Sequence, residues 1–379
     1  LHGAVYEFQW PTVLAAIKRA RERGAVVKIL FDDIEPRGPF QKNRDAIKAA
    51  KIKSVCKGRT KGKLMHNKFF VLSQHGQPRA VWTGSTNLTE NGIFGHSNVG
   101  HIVEDGAVAQ AFLDAWHRLK TDPRVDNDYR EVNETTSPAP PNPWTATTTA
   151  VFSPRGKNLA ALDWYAQIAA GAKGGLFMTF AFGMHPKFKD VYRTDDAVLR
   201  MALLEKEGNN ARTLEQEKKD IQAIRNRPNV VVAIGNRIVT NSFDRWLAEM
   251  SRVNPNVHVY WVHTKYMLVD PLSKSPTVVG GSANFSKASI ETNDENMLVI
   301  RGDKRISDIY FGEYLRLYSH YAFREAVKFA LQKREAGVPE EWRPQFLVDD
   351  DSWMTPYFDP QDKSARYARR AYFAGPMSV

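Results

Sequence analysis

Histidine and lysine recur two residues apart at two places in the chain, His66-Asn67-Lys68 and His263-Thr264-Lys265. Each pair runs into an apolar stretch, Phe69-Phe70-Val71-Leu72 in one case and Tyr266-Met267-Leu268-Val269 in the other, the pattern of a buried strand. On a strand, residues two apart point to one side, so each pair presents an imidazole and an ammonium together. Eighteen residues beyond each histidine begins a Gly-Ser-x-Asn turn, Gly84-Ser85-Thr86-Asn87 and Gly281-Ser282-Ala283-Asn284. One spacing kept in two copies 197 residues apart marks an internal duplication. Two imidazoles, two ammoniums and two amides suit a tetrahedral phosphate. Such a phosphate carries the spread negative charge that these groups can meet.

This duplicated pattern resembles the phospholipase D superfamily, whose signature is His-x-Lys-x4-Asp followed by Gly-Ser-x-Asn. The second copy carries it in full at His263, Lys265, Asp270, Gly281, Ser282 and Asn284; the first matches at His66, Lys68, Gly84, Ser85 and Asn87, with Ser73 in place of the aspartate. The resemblance spans roughly residues 1 to 330. It implies an α/β protein of two phospholipase D-like lobes, each a mixed β-sheet flanked by helices. The lobes would be related by a pseudo-twofold axis, with the active site at their interface.

The implied reaction is a two-step displacement at a phosphodiester. One histidine attacks phosphorus to form a phosphohistidine; the other protonates the leaving oxygen and then activates water. Lys68, Lys265, Asn87 and Asn284 would hold the phosphoryl oxygens, and no metal or other cofactor is called for. Ser85 and Ser282 would support the phosphate. Asp270 either joins them or only holds a strand pair together.

An acidic residue shortly after the second Gly-Ser-x-Asn often holds the nucleophilic imidazole in this family, and Glu295 stands in that place. The first repeat has Ser97-Asn98 there, so the two halves are not chemically equivalent. Analogy points to His66 as nucleophile and His263 as acid. The family includes phospholipases, phospholipid synthases and nucleases, so substrate class stays open between phospholipid and nucleic acid. A phosphate-clamping scaffold without turnover is the third reading.

The surrounding elements alternate between helix and strand. Val13 to Arg23 and Leu214 to Arg225 read as helices, and the apolar runs Val26–Leu30 and Val230–Ile234 as corresponding buried strands. The stretch 133–150, with Ser137-Pro138-Ala139-Pro140-Pro141-Asn142-Pro143, reads as an extended linker. It separates an N-terminal lobe, 1–132, from a C-terminal lobe, 151–334. Residues 335–379, with Pro339, Trp342, Pro344, Trp353, Tyr357 and Phe358, read as an aromatic-anchored tail packed over the core. The run Leu176–His185 reads as a buried strand whose Phe182–His185 end is a candidate lining for a lipid or base pocket.

The 379 residues carry a formal net charge of +11, with 42% hydrophobic and 25% charged residues, ordinary for a chain with a sizeable core. No apolar run is long enough to cross a bilayer as a helix, which favours a soluble protein. Cys56 is the single cysteine, so neither an internal disulfide nor a cysteine-based zinc site is available. Of the histidines outside the motifs, among them His96, His101, His185 and His258, none shows metal-ligand spacing.

Most of the net positive charge falls within residues 42–68: Lys42, Arg44, Lys48, Lys51, Lys53, Lys57, Arg59, Lys61, Lys63 and Lys68, against the single acid Asp45. This run reads either as a solvated helix face and loop or as a track for a nucleic-acid backbone or an anionic membrane surface. Arg252 and Lys265 beside Trp261 offer a second cation–aromatic grouping. The chain opens on Leu1 and enters a strand pattern almost at once, which reads as an incomplete N-terminus and leaves secretion open. Duplication within one chain predicts a monomer.

Overall fold

A computed structural model describes residues 1–145, 147–156, 158–208, 210–235, 261–335 and 350–375, without the side chains of 327, 328 and 330–335. Arg252, His258, Pro339, Trp342 and Pro344 lie outside the described residues. The strands in chain order are β1 (His2–Val5), β2 (Lys28–Asp32), β3 (Cys56–Arg59), β4 (Lys68–Gln74), β5 (Gln77–Gly84), β6 (Gly100–Val103) and β7 (Thr148–Ser153). There follow β8 (Gly175–Phe180), β9 (Leu199–Leu204), β10 (Val230–Ile234), β11 (Tyr266–Val269), β12 (Thr277–Gly281) and β13 (Glu295–Arg301). They form two mixed sheets flanked by helices, as the duplication predicts.

The chain divides into two compact units that interleave in sequence. The first comprises 1–165, 263–266 and 277–303; the second comprises 166–262, 267–276 and 304–379. The 133–150 stretch therefore lies inside the first unit. It also starts within the helix Asn127–Thr136, whose first turn is capped by the Asp126 carboxylate accepting the Tyr129 amide, and it ends within β7. Asn133 and Ser137 are buried and hydrogen bonded to the backbone around β7, which ties down a segment whose prolines suggest a free linker.

In the first unit the six-stranded sheet runs β3-β2-β1-β4-β5-β6. Strands β1, β2 and β3 are mutually parallel, and β4 joins β1 antiparallel. Helix Gly106–Lys120 covers one face. Its Phe112 packs edge-on against Phe69 of β4 and against Phe152 of β7, so one helix anchors strands of both sheets within this unit. Its start is fixed by Asp105, which accepts the amides of Ala107 and Val108. Helices Pro11–Glu22 and Phe40–Ala49 bury Leu14, Ile17 and Ile47 in a cluster with Val5, Phe8, Ile29 and Phe31.

The second unit repeats the first arrangement. Strands β8, β9 and β10 are parallel, and β11 joins β8 antiparallel. Unlike an alternating edge strand, β8 and β9 are buried along their whole length, as parallel strands covered on both faces require. This order corrects one sequence correspondence: β10 answers to β3, so the run Val26–Leu30, which enters β2, has β9 as its counterpart. Two valine-rich runs looked alike because buried parallel strands share a composition, whatever their place in the sheet. The C-terminal helix Arg366–Ala374 docks Tyr372 against Phe177 of β8, whereas Trp353 and Phe358 remain exposed.

Candidate active site

His66 and Lys68 stand at the start of β4, and His263 and Lys265 immediately before β11. All four side chains are buried, and all four residues belong to the first unit. The backbone N–H of His66 donates to the Asp294 carbonyl (2.9 Å), and that of His263 to the Ser97 carbonyl (3.2 Å). Asp294 and Ser97 are themselves 197 residues apart, so each motif is held by the other repeat.

The side chains follow the same reciprocity. His66 Nδ1 lies 2.8 Å from Glu295 Oε2, and His263 Nδ1 lies 2.8 Å from Asn98 Oδ1. The Ser282 hydroxyl donates to Glu295 (2.7 Å), and the Ser85 hydroxyl donates to Asn98 (2.8 Å). Each serine hydroxyl also accepts a backbone amide, from Asn296 and Val99 respectively. Ser85 and Ser282, expected to support substrate phosphate, instead brace the partners of the two histidines. Small residues suit that post because the turn runs against the neighbouring strand. A Cβ on Gly84 would collide with the Val99 carbonyl, and one on Gly281 with the Asn296 carbonyl. Gly281→Ala is expected to destabilise the protein by at least about 1–3 kcal/mol, read from the shift in denaturation midpoint.

Glu295 is wrapped in donors: beyond His66 and Ser282, it accepts from Ser289 Oγ (3.1 Å) and Asn293 Nδ2 (3.2 Å). Burial alone would raise its pKa, but the attraction of His66 and Lys68 and the hydrogen bonds outweigh burial and hold it at about 2. An ionised Glu295 accepts the Nδ1 proton of His66 and leaves the lone pair on Nε2, the tautomer a nucleophile needs. Burial draws His66 itself down to about 4, against the pull of Glu295, so the ring is neutral near pH 7. Asn98 can offer only a neutral amide oxygen. His263 accordingly lies well below the ordinary histidine range, through burial first and then the charges of Lys265, His96, Lys68 and His66.

The two lysines are matched as well. Lys68 Nζ donates to the His66 carbonyl and Lys265 Nζ to the His263 carbonyl, both at 2.5 Å. Burial lowers Lys68 to about 7 despite Glu295, Glu7 and Asp32, and it takes Lys265 well below its ordinary value. Burial thus disfavours the charged form of both lysines, with Lys68 adding to the effect at Lys265, and a bound anion would favour that form again. The buried Oδ1 atoms of Asn87 and Asn284 have no hydrogen-bond partner, an expensive arrangement in a resting protein. The Asn87 amide N–H already donates to the Glu7 carboxylate, whereas a flipped Asn284 amide would present its N–H groups to an acceptor.

Asp270 lies in the second unit. Its carboxylate accepts the backbone amides of Lys173, Gly174 and Gly175 at 2.7 to 3.1 Å, so it clamps the turn entering β8. Ser73, its counterpart, has a buried hydroxyl without a partner beside a register shift in β4. His185, at the end of the candidate pocket lining, caps helix Pro186–Tyr192, and Met184 is buried. Among the described residues no group of three or more His, Cys, Asp or Glu side chains is placed to hold a metal ion.

The basic run also resolves into parts. Lys42, Lys48, Lys51, Lys53, Lys61 and Lys63 are exposed; Arg44 pairs with Asp33 and Glu35, and Lys57 donates to the Lys120 carbonyl. Lys68 belongs to the site. Arg59 is fully buried and bonded to Asp294 (3.0 Å) and Asp122 (2.7 Å), directly behind Glu295 in the chain. Sequence reasoning noted Asn98 only as the non-equivalent counterpart of Glu295, counted Arg59 only within the basic run and gave no role to Tyr6. The ring of Tyr6 meets His66 edge-on at 5.0 Å and lies 4.9 Å from Lys68 Nζ. The 197-residue offset, carried from Glu295 back to Asn98, was the signal available for the first of these.

Residues 1–120 and 191–313 match the family described as "Cardiolipin synthase, PLD-like domain". Phosphatidylserine synthase from Haemophilus influenzae Rd KW20 shares the fold at a TM-score of 0.54, with 10% identity over 88% of this chain and 87% of that one. Nuc, a phospholipase D family member from Salmonella typhimurium, is 18% identical over 45% of this chain and 93% of its own, at a TM-score of 0.32. NucT from Helicobacter pylori is likewise 18% identical, over 45% of this chain and 95% of its own, also at 0.32. No curated protein sequence matches the chain.

Proposed function

The chain belongs to the phospholipase D superfamily, and from that premise we propose that it is a metal-independent phosphodiesterase working through a phosphohistidine. The observation that carries this reading is the pair of buried imidazoles, each bonded through Nδ1 so that its Nε2 is left for chemistry. One Nε2 attacks phosphorus while the other imidazole gives its proton to the departing oxygen. Water then attacks phosphorus, forming a P–O bond as the P–N bond breaks and frees the first imidazole, and its proton goes to the second imidazole. Lys68, Lys265, Asn87 and Asn284 hold the phosphoryl oxygens through both steps. A clamp that only bound phosphate would have use for the lysines and amides and none for two histidines with oriented tautomers. Both motifs come from one chain, so a monomer suffices for catalysis.

The exposed lysines from Lys42 to Lys63 favour nucleic acid as the substrate over phospholipid, because they continue along the chain into the loop that delivers His66. No helix among the described residues is long and apolar enough to cross a membrane. The test is one assay in EDTA with single-stranded DNA, RNA and phosphatidylcholine vesicles in parallel, beside His66→Asn and His263→Asn. Cleavage of nucleic acid lost in both variants supports this reading, and headgroup release lost in both moves the substrate to lipid. Silence on all three, with phosphate binding retained, overturns catalysis in favour of a clamp.

Charge at the site makes anion binding pH-dependent with a definite sign. Lys68 must be protonated to hold an anion, and burial has brought it to about 7. Sulfate, which does not titrate near neutrality, is expected to bind with net proton uptake at pH 7.5. Its affinity should weaken as pH rises further. Calorimetry in buffers of differing ionisation enthalpy measures the uptake directly; an enthalpy independent of buffer would contradict it.

A further inference from the structure

We propose that Asn98 is a positioning residue whose neutrality gives the reaction its direction, making His66 the nucleophile and His263 the acid. This inference rests on the phosphodiesterase reading above and concerns the same site. Its basis is one difference within an otherwise matched set of contacts. The two histidines have the same backbone anchors, the same Nδ1 distances of 2.8 Å and the same serine hydroxyls behind their partners. Within these contacts the partner differs: a carboxylate at Glu295, a carboxamide at Asn98. The amide orientation is determined by its surroundings, since Asn98 Nδ2 donates to the Gly92 carbonyl at 2.8 Å and Oδ1 accepts from Ser85.

The chemistry distinguishes the two partners. When Nε2 of a histidine bonds to phosphorus, its ring acquires positive charge, and a carboxylate at Nδ1 stabilises that charge as it develops. The acid does the reverse: it enters the step as imidazolium and ends neutral once its proton has passed to the leaving oxygen. A carboxylate at its Nδ1 would stabilise the charged starting state and oppose the transfer. A neutral amide holds the ring in place without doing so. Glu295 therefore suits a nucleophile and Asn98 an acid.

The same feature determines when His263 becomes charged. In the free protein it faces Lys265, Lys68, His66 and His96, with Asn98 supplying no compensating charge. Glu205 accepts the amides of Trp261 and Val262, so its charge is spent on the backbone just before His263. The phosphodiester anion brings negative charge to the imidazole itself, and His263 takes up its proton with the substrate. In the first step the His66 nitrogen–phosphorus bond forms, the phosphorus–oxygen bond to the leaving group breaks, and the His263 proton goes to that oxygen. In the second, water gives His263 a proton as its oxygen displaces His66.

Asn98→Asp tests this through a readout independent of turnover. Histidine-labelled protein is titrated by NMR with and without sulfate, His263→Asn supplying the assignment. In Asn98→Asp the His263 titration should move up by about one to three pH units, the effect of an adjacent opposite charge, and should depend less on sulfate. An unmoved His263 overturns the proposal. Alkaline quenching of the working protein and peptide mapping should find phosphate on His66; phosphate on His263 also overturns it. The exchanged pair Asn98→Asp/Glu295→Gln should transfer the label to His263. A shifted titration in a protein without turnover would support the positioning role and overturn the phosphodiesterase reading instead.

Discussion

Replacing His66 by asparagine is expected to reduce phosphodiester cleavage by about 10⁵-fold or more, a barrier increase of roughly 7 kcal/mol, with the fold intact. Losing a nucleophile removes the covalent route itself, and the remaining groups can only bind. Asparagine retains a polar side chain opposite Glu295, so the buried carboxylate at 2.8 Å keeps a donor and the substitution leaves little stability penalty. Sulfate affinity should therefore change far less than turnover, because Lys68, Lys265, Asn87 and Asn284 remain. Parallel measurement of kcat and of sulfate binding separates the two effects. A variant that lost both equally would show that His66 acts through the structure of the site. One that kept turnover would remove His66 from the chemistry.

How much of this site could be read in advance follows from what spacing encodes. His66, Lys68, Asn87, His263, Lys265 and Asn284 were legible because a repeated spacing survives duplication whatever the strands around it do. Glu295 was legible only through the family resemblance, in which an acid often follows the second Gly-Ser-x-Asn. Asn98 was visible in the corresponding place as a difference between the halves, but not as the partner of His263, since an amide in a loop carries no charge to mark it. The serines were visible as part of the turn, but which way a hydroxyl points depends on the strand beside it. The interleaving of the two units was not legible, because linker composition reports local backbone preference and not which distant strand a segment pairs with. The 133–150 stretch shows this: its prolines are real, but Asn133 and Ser137 at its start are buried against β7. The exposed run of cations hid Arg59 for a related reason, since composition averages over neighbours and one buried member looks like the rest.

Arg59 is where the largest stability effect is expected. Its guanidinium bonds Asp294 and Asp122 from a fully buried position and lies 5.8 Å from the Tyr129 ring. Tyr129 in turn donates its hydroxyl to Asp294 at 3.1 Å. Asp294 is also the residue whose carbonyl holds the His66 amide and whose own amide donates to the Leu64 carbonyl, so this ion pair underlies the backbone that presents both His66 and Glu295. Arg59→Met removes the charge at similar volume and leaves Asp294 buried without its cation, a loss of about 3–5 kcal/mol. The deficit has a pH signature. Burial already raises the Asp294 carboxyl above its ordinary value despite Arg59, and removing the cation raises it further. A carboxyl whose pKa is higher in the folded protein binds protons more readily there than in the unfolded chain, so its stability contribution declines as pH rises through that window. The penalty of Arg59→Met should thus be smaller at pH 5 than at pH 8 in denaturant titrations. Adding Asp294→Asn should recover much of it by removing the uncompensated charge. A penalty that is equal at both pH values and not relieved by Asp294→Asn would mean that Arg59 contributes packing and not charge.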